Sequence, residues 1–135
     1  MIYRVIGKQQ RQDRHTMNSD SIEELKRDVK KQIDRYKLLT ETFRVKIQPD
    51  NPKNAELELI VKYFSTQCRF HSTTMLLILA RVKKTPYDKL IELRKETMMS
   101  LMEQMTGFVE MGLMGEGEYL KNCKTFKEDV ELLAM

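Results

Sequence analysis

Eight residues in the middle of the chain, Leu57, Val61, Phe64, Cys68, His71, Met75, Ile78 and Val82, recur at alternating steps of four and three. That is the spacing of a heptad seam, and it predicts one long helix laying a continuous stripe against a neighbour. Such a helix dominates a chain of 135 residues, which has room for a single core, so every other element must pack around it. Asn51 and Pro52 mark its start, since proline suits a first helical position. Ser72, Thr73 and Thr74 are weak helix formers, and the sequence leaves open whether the helix over 52–83 is continuous through them.

Ahead of the seam, Phe43, Val45 and Ile47 alternate with Arg44, Lys46 and Gln48, which predicts a half-buried strand. Ile2 to Ile6 is a second β-prone run ending at Gly7. A polar loop over 8–20 joins it to a helix whose Ser21 and Glu24 read as a capping box and whose apolar stripe is Ile22, Leu25, Val29, Ile33 and Tyr36. Behind the seam, Thr85, Pro86 and Asp88 signal a further helix from about 86 to 106 or beyond, which Gly107, Gly112, Gly115 and Gly117 loosen or end. A last helix carries Tyr119, Cys123, Phe126, Val130 and Leu133. The expected fold is α+β and mostly helical. A small N-terminal β-α-β layer of two strands, residues 1–50, packs on a three-helix antiparallel C-terminal bundle, residues 51–135, as one domain. Two strands make a poor sheet in water, which favours a homo-oligomer that extends or covers them.

Composition removes several classes. Hydrophobic residues at 41% and charged residues at 33% exclude both a chain disordered by composition and a bilayer protein, and Gly 5 with Pro 3 argues against an all-β fold. The longest apolar run, Met75 to Ala80, is too short to span a membrane. Two distant cysteines, Cys68 and Cys123, without a secretory or transit signal at the start, point to reduced thiols and an intracellular setting, cytoplasm or nucleus, an infected host included.

The net charge of +4 is unevenly laid out: residues 1–100 hold 21 basic against 13 acidic side chains, and residues 101–135 hold 3 against 7. Arg4, Arg44 and Lys46 fall on the outer face of the expected strands, Lys8, Arg11 and Arg14 in the loop beside them, and Lys30 and Lys31, with Lys26 and Arg35, on the first helix. This is a candidate phosphate-contacting surface. Asp13, Asp28 and Asp34 dilute it, and Tyr3 is the one aromatic nearby, so it equally reads as a solvated face.

Met98, Met99, Met102, Met105, Met111 and Met114 crowd into seventeen residues, a pattern that serves either a methionine-rich core or a protein interface that repacks around a partner. Cys68 and His71, three apart on one helical face, have the spacing of two zinc ligands or a thiol–imidazole pair, but both fall on the seam with Phe64, Met75 and Ile78, where a packed thiol beside a hydrogen-bonded core imidazole is the expected role. His15 and Cys123 supply no second closely spaced pair, so no metal or cofactor is expected. No phosphate loop, dinucleotide fingerprint, nucleophile elbow, zinc-protease or calcium-loop motif occurs. Together these features point to a non-catalytic accessory binding protein of viral or phage type, working with complexes that handle nucleic acid. Its basic layer would meet phosphates of DNA or RNA and its methionine-rich helix a protein partner, away from any membrane. The alternative is a protein–protein adaptor or inhibitor without nucleic-acid contact; a third reading is a Cys/His-centred zinc or thiol enzyme.

Overall fold

The computed structural model describes the backbone of residues 19–134 and the side chains of residues 21–128. Among the described residues there are four helices, α1 (Ser19–Arg44), α2 (Asn54–Lys83), α3 (Asp88–Glu110) and α4 (Glu116–Ala134), and no strand. The expected β-α-β layer is therefore corrected to helix: the architecture is a helical bundle, not α+β. The first expected strand lies outside the described residues. The second is overturned by α1, which runs eight residues beyond Tyr36 to Arg44.

Two periodicities compete at Phe43, and the helical one prevails. Ile33, Tyr36, Thr40 and Phe43 continue the α1 stripe at steps of three and four, Thr40 is buried, and Phe43 packs on Phe64 of α2 with ring centroids 5.6 Å apart. Val45, which the strand reading sent inward, is 67% exposed. The chain then unwinds: Lys46 N–H donates to the Phe43 carbonyl and Ile47 N–H to the Arg44 carbonyl, three-residue spacings that close α1. Asn51 holds the corner, with Nδ2 donating to the Lys46 carbonyl and Oδ1 accepting from Lys53 N–H. Asn54 clasps Gln48 through both amide groups. The Asn51–Pro52 signal thus shapes the turn rather than the first helical residue, and α2 begins two positions later behind Lys53, without a side-chain cap.

The 30-residue α2 is continuous through Ser72–Thr74. Thr73 and Thr74 donate their hydroxyls to the carbonyls of Arg69 and Phe70, both at 2.9 Å, so weak helix formers become satisfied groups inside the helix. Lys84 ends α2 in the left-handed region, φ 57°, with Thr85 N–H reaching the Ala80 carbonyl and Lys84 N–H the Arg81 carbonyl. The same device closes α3, this time with glycine at the left-handed position: Gly112, φ 75°, donates to Val109 and Leu113 to Phe108.

Successive helices pack on one another, which places α2 between α1 and α3, with α4 against α3. The middle of the predicted seam of α2 meets α1: Tyr36 stacks on His71 at 5.4 Å and packs on Phe64, and the Cys68 thiol donates to the Ile33 carbonyl, whereas Val61 lines an open groove and Val82 is 48% exposed. A second buried stripe, Thr66, Phe70, Thr73, Thr74, Leu77 and Ala80, lines the side toward α3. There the Arg94 guanidinium, 1% exposed, lies 4.6 Å over the Phe70 ring while Nε donates to the Thr74 hydroxyl at 2.8 Å. Phe126 of α4 reaches Phe70 edge-on, so Leu25, Val29, Phe70, Leu101, Met105, Phe108, Cys123 and Phe126 belong to one core. No helix among the described residues is long and apolar enough to cross a membrane.

Candidate functional site

Flanked by α1 and α3, the central helix keeps a third face open. Along it Lys62, Ser65 and Arg69 follow one another at steps of three and four, a polar stripe roughly 10 Å long. The end of α1 contributes Arg44 and Ile47, and α3 contributes Ser100 and Gln104, so the face becomes the floor of a groove of about 390 Å³. Val61, Thr66 and Glu58 complete its lining. Three cations and one carboxylate give the groove a formal excess of two positive charges.

These polar groups differ from their neighbours in how little they are engaged. Thr66, Thr73, Thr74, Thr97 and Thr106 each donate a hydroxyl to the carbonyl four residues back, whereas the Ser65 and Ser100 hydroxyls make no hydrogen bond among the described residues. Lys26, Arg44 and Lys95 form ion pairs with carboxylates three residues earlier; Lys62 and Arg69 form none among the described residues, although Glu58 stands one turn before Lys62. Gln104, 6% exposed, donates from Nε2 to the Thr66 hydroxyl at 2.9 Å, and its Oε1 has no donor. Lys62, Ser65, Arg69 and Ser100 can receive an anion and hydrogen-bond it without displacing a partner among the described residues; Gln104 Oε1, an acceptor, takes no part in that.

Of the basic residues expected from sequence, Arg44 reaches this groove; Lys30 and Lys31 stand exposed on α1. Lys46 lies in the turn, its ammonium 4.8 Å over the Phe43 ring rather than on a strand face, and Arg44 is paired to Glu41. Arg4, Lys8, Arg11 and Arg14 lie outside the described residues. Lys62, Ser65, Arg69, Ser100 and Gln104 were not among the expected residues; the polar stripe on the helix side opposite the buried face is the signal that finds the first three.

The methionines do not form one surface. Met105 is fully buried, Met98, Met102 and Met114 pack against the core, and Met99 and Met111 are exposed at 64% and 42%. Instead Met111, Leu113 and Leu120 leave apolar side chains exposed around the α3–α4 turn.

Cys68 and His71 are packed into the α1–α2 contact. Burial holds the His71 imidazole neutral, with its pKa lowered to about 4, and the Arg94 charge adds to that shift. At 3% exposure the ring offers no approach to a substrate. Burial also pushes the Cys68 thiol up, away from the reactive thiolate. Tyr63, whose hydroxyl accepts from Gln67, is pushed up to about 12, again chiefly by burial. No group of three or more His, Cys, Asp or Glu side chains among the described residues is placed to hold a metal ion. Comparison with protein-family models, curated proteins and solved structures finds no match to this chain, so the reading of the groove rests on its own chemistry.

Proposed function

We propose that the protein is a non-catalytic accessory binding module that contacts nucleic-acid phosphates through the groove on the open face of α2. One observation carries the reading: Lys62, Arg69, Ser65 and Ser100 line one concave site without ion-pair or hydrogen-bond partners among the described residues. Arg, Lys and Ser side chains are the usual donors to phosphate oxygens, and such contacts position a strand without reading its sequence. Lys30 and Lys31, exposed on α1 outside the groove, add general positive charge that assists encounter rather than fixes register. The reduced state of Cys68 and Cys123 suits an intracellular setting.

Fluorescence anisotropy with labelled oligonucleotides, from low to physiological salt, tests this. Each neutralised phosphate contributes roughly 0.7 to 0.9 units to the slope of log affinity against log salt. Lys62→Ala combined with Arg69→Ala therefore flattens the slope by up to about two units. Absence of binding at low salt overturns the proposal. The adaptor reading then takes its place, favoured by exposed Met111, Leu113 and Leu120 around the α3–α4 turn.

A further inference from the structure

The stripe that floors the groove continues past it. Beyond Arg69 it runs through Ser72, Leu76 and Leu79 to Lys83 at the same steps of three and four, so Lys83 shares the face of Arg69 about 21 Å farther along the uninterrupted α2. The α3 helix lies beside this face in antiparallel register, with Gln104 against Thr66 and Arg94 against Thr74. That register sets Ser100 beside Arg69, exposed Leu93 beside exposed Leu76, and Lys89 beside the last turn of α2. Between Arg69 and Lys83 the stripe holds no cation, and Glu96 of α3 stands exposed on the same stretch.

The far end is basic again. Residues 81–89 hold Arg81, Lys83, Lys84 and Lys89 against Asp88 alone, a formal excess of three. Arg81, Lys84, Thr85, Pro86 and Tyr87 line a concave site of about 570 Å³, where the Arg81 guanidinium lies 5.7 Å over the Tyr87 ring. Lys83, Lys84 and Lys89 form no ion pair among the described residues. The dipole of α2 accounts for cations in its last turn, Arg81 and Lys83, but the dipole of α3 disfavours Lys89 in its first. Lys84 likewise stands at a conformational cost, φ 57°, where glycine would be unstrained.

We infer that the α2–α3 turn is a second phosphate-contacting site, which holds a phosphate of the same nucleic-acid chain about 21 Å from the one in the groove. The two basic ends face one way, and the apolar and acidic middle makes the contact bipartite rather than a continuous track. A duplex strand covers the span in about six steps of 3.4 Å. The inference rests on the nucleic-acid reading above and adds to it a minimum length of ligand.

The test uses the full chain and labelled oligothymidylates of three and twelve nucleotides at 0.1 M salt, where a Debye length of about 10 Å screens the turn from the groove. Three nucleotides carry too few phosphodiesters to bridge the two sites; twelve reach both. Replacing Lys83, Lys84 and Lys89 together with Ala is expected to weaken the twelve-nucleotide strand at least about fivefold and to leave the three-nucleotide strand within about twofold. Lys84→Gly, which relieves the left-handed strain and so does not threaten folding, weakens the longer strand alone. A control variant with Ala at Lys121, Lys124 and Lys127, exposed on α4, removes the same charge and leaves both affinities unchanged. Unaltered binding of the longer strand by the turn variant, with Lys62→Ala and Arg69→Ala still weakening it, overturns the second site and leaves the groove standing. Equal losses in the turn and α4 variants, or equal losses for both strand lengths, also overturn it, since bulk charge then explains the effect. No binding of either strand even at low salt overturns both readings.

Discussion

Acidification should destabilise the protein in good part through one residue, His71. In the folded state the imidazole is 3% exposed, stacked on Tyr36 and edge-on to Phe70, and its pKa is lowered to about 4 by burial and by the Arg94 charge. In the unfolded chain it takes its ordinary value near 6.5. Between those values the unfolded chain binds the extra proton, so stability rises with pH across the window. The contribution is full above pH 6.5, is lost progressively as pH falls toward 4, and amounts to about 3 kcal/mol, most of it gone by pH 4.5. For a domain of this size that is a large part of total stability. Urea denaturation of the wild type and of His71→Phe at pH 7 and pH 4.5 measures it. The phenyl ring keeps the stack on Tyr36, and the carboxylate background is common to both proteins, so the difference between their pH dependences isolates the imidazole. The variant should lose about 2 to 3 kcal/mol less than the wild type on acidification. Equal losses in both proteins, or a His71 ring titrating near 6.5 by NMR, would refute the argument.

Other outcomes follow from single contacts. Lys84→Gly should raise stability by up to about 1 kcal/mol, because lysine holds a left-handed conformation that glycine adopts without a Cβ clash; thermal melts check it. Thr74→Val removes the acceptor at 2.8 Å from the buried Arg94 Nε and should cost about 2 kcal/mol in urea titrations, despite the added methyl. Cys68→Ala should lower stability by about 1 kcal/mol and leave oligonucleotide binding unchanged, since the thiol packs toward the Ile33 carbonyl and not into the groove.

The α2 seam and the α1 stripe were legible because both are written in large apolar side chains at helical spacing, and Leu25, Val29 and Ile78 are buried as that pattern requires. The second face of α2 was not. Thr66, Gln67, Thr73 and Thr74 look polar by type, yet three of the four return their hydroxyls to the helix, and that turns a polar segment into an interior one. The strand over 43–48 was misread because Phe43 belongs to both a two-residue and a helical repeat, and only tertiary contact with Phe64 decides between them. Helix starts drifted by two residues where Lys53 and Tyr87 occupy the N-caps without side-chain hydrogen bonds. The groove divides in the same way. Lys62, Ser65 and Arg69 share a face by spacing alone, but their juxtaposition with Ser100 and Gln104 depends on the register of α3 against α2, which no local pattern encodes.

The most direct test of the phosphate-binding account is a two-dimensional amide NMR titration of the full chain with single-stranded oligouridylate at low salt. Saturable shifts should concentrate at Lys62, Ser65, Arg69, Ser100 and the Gln104 side-chain amide, with smaller ones at Lys30 and Lys31. Shifts confined to the outer face of α1 or to the α3–α4 turn, with the groove silent, would contradict it.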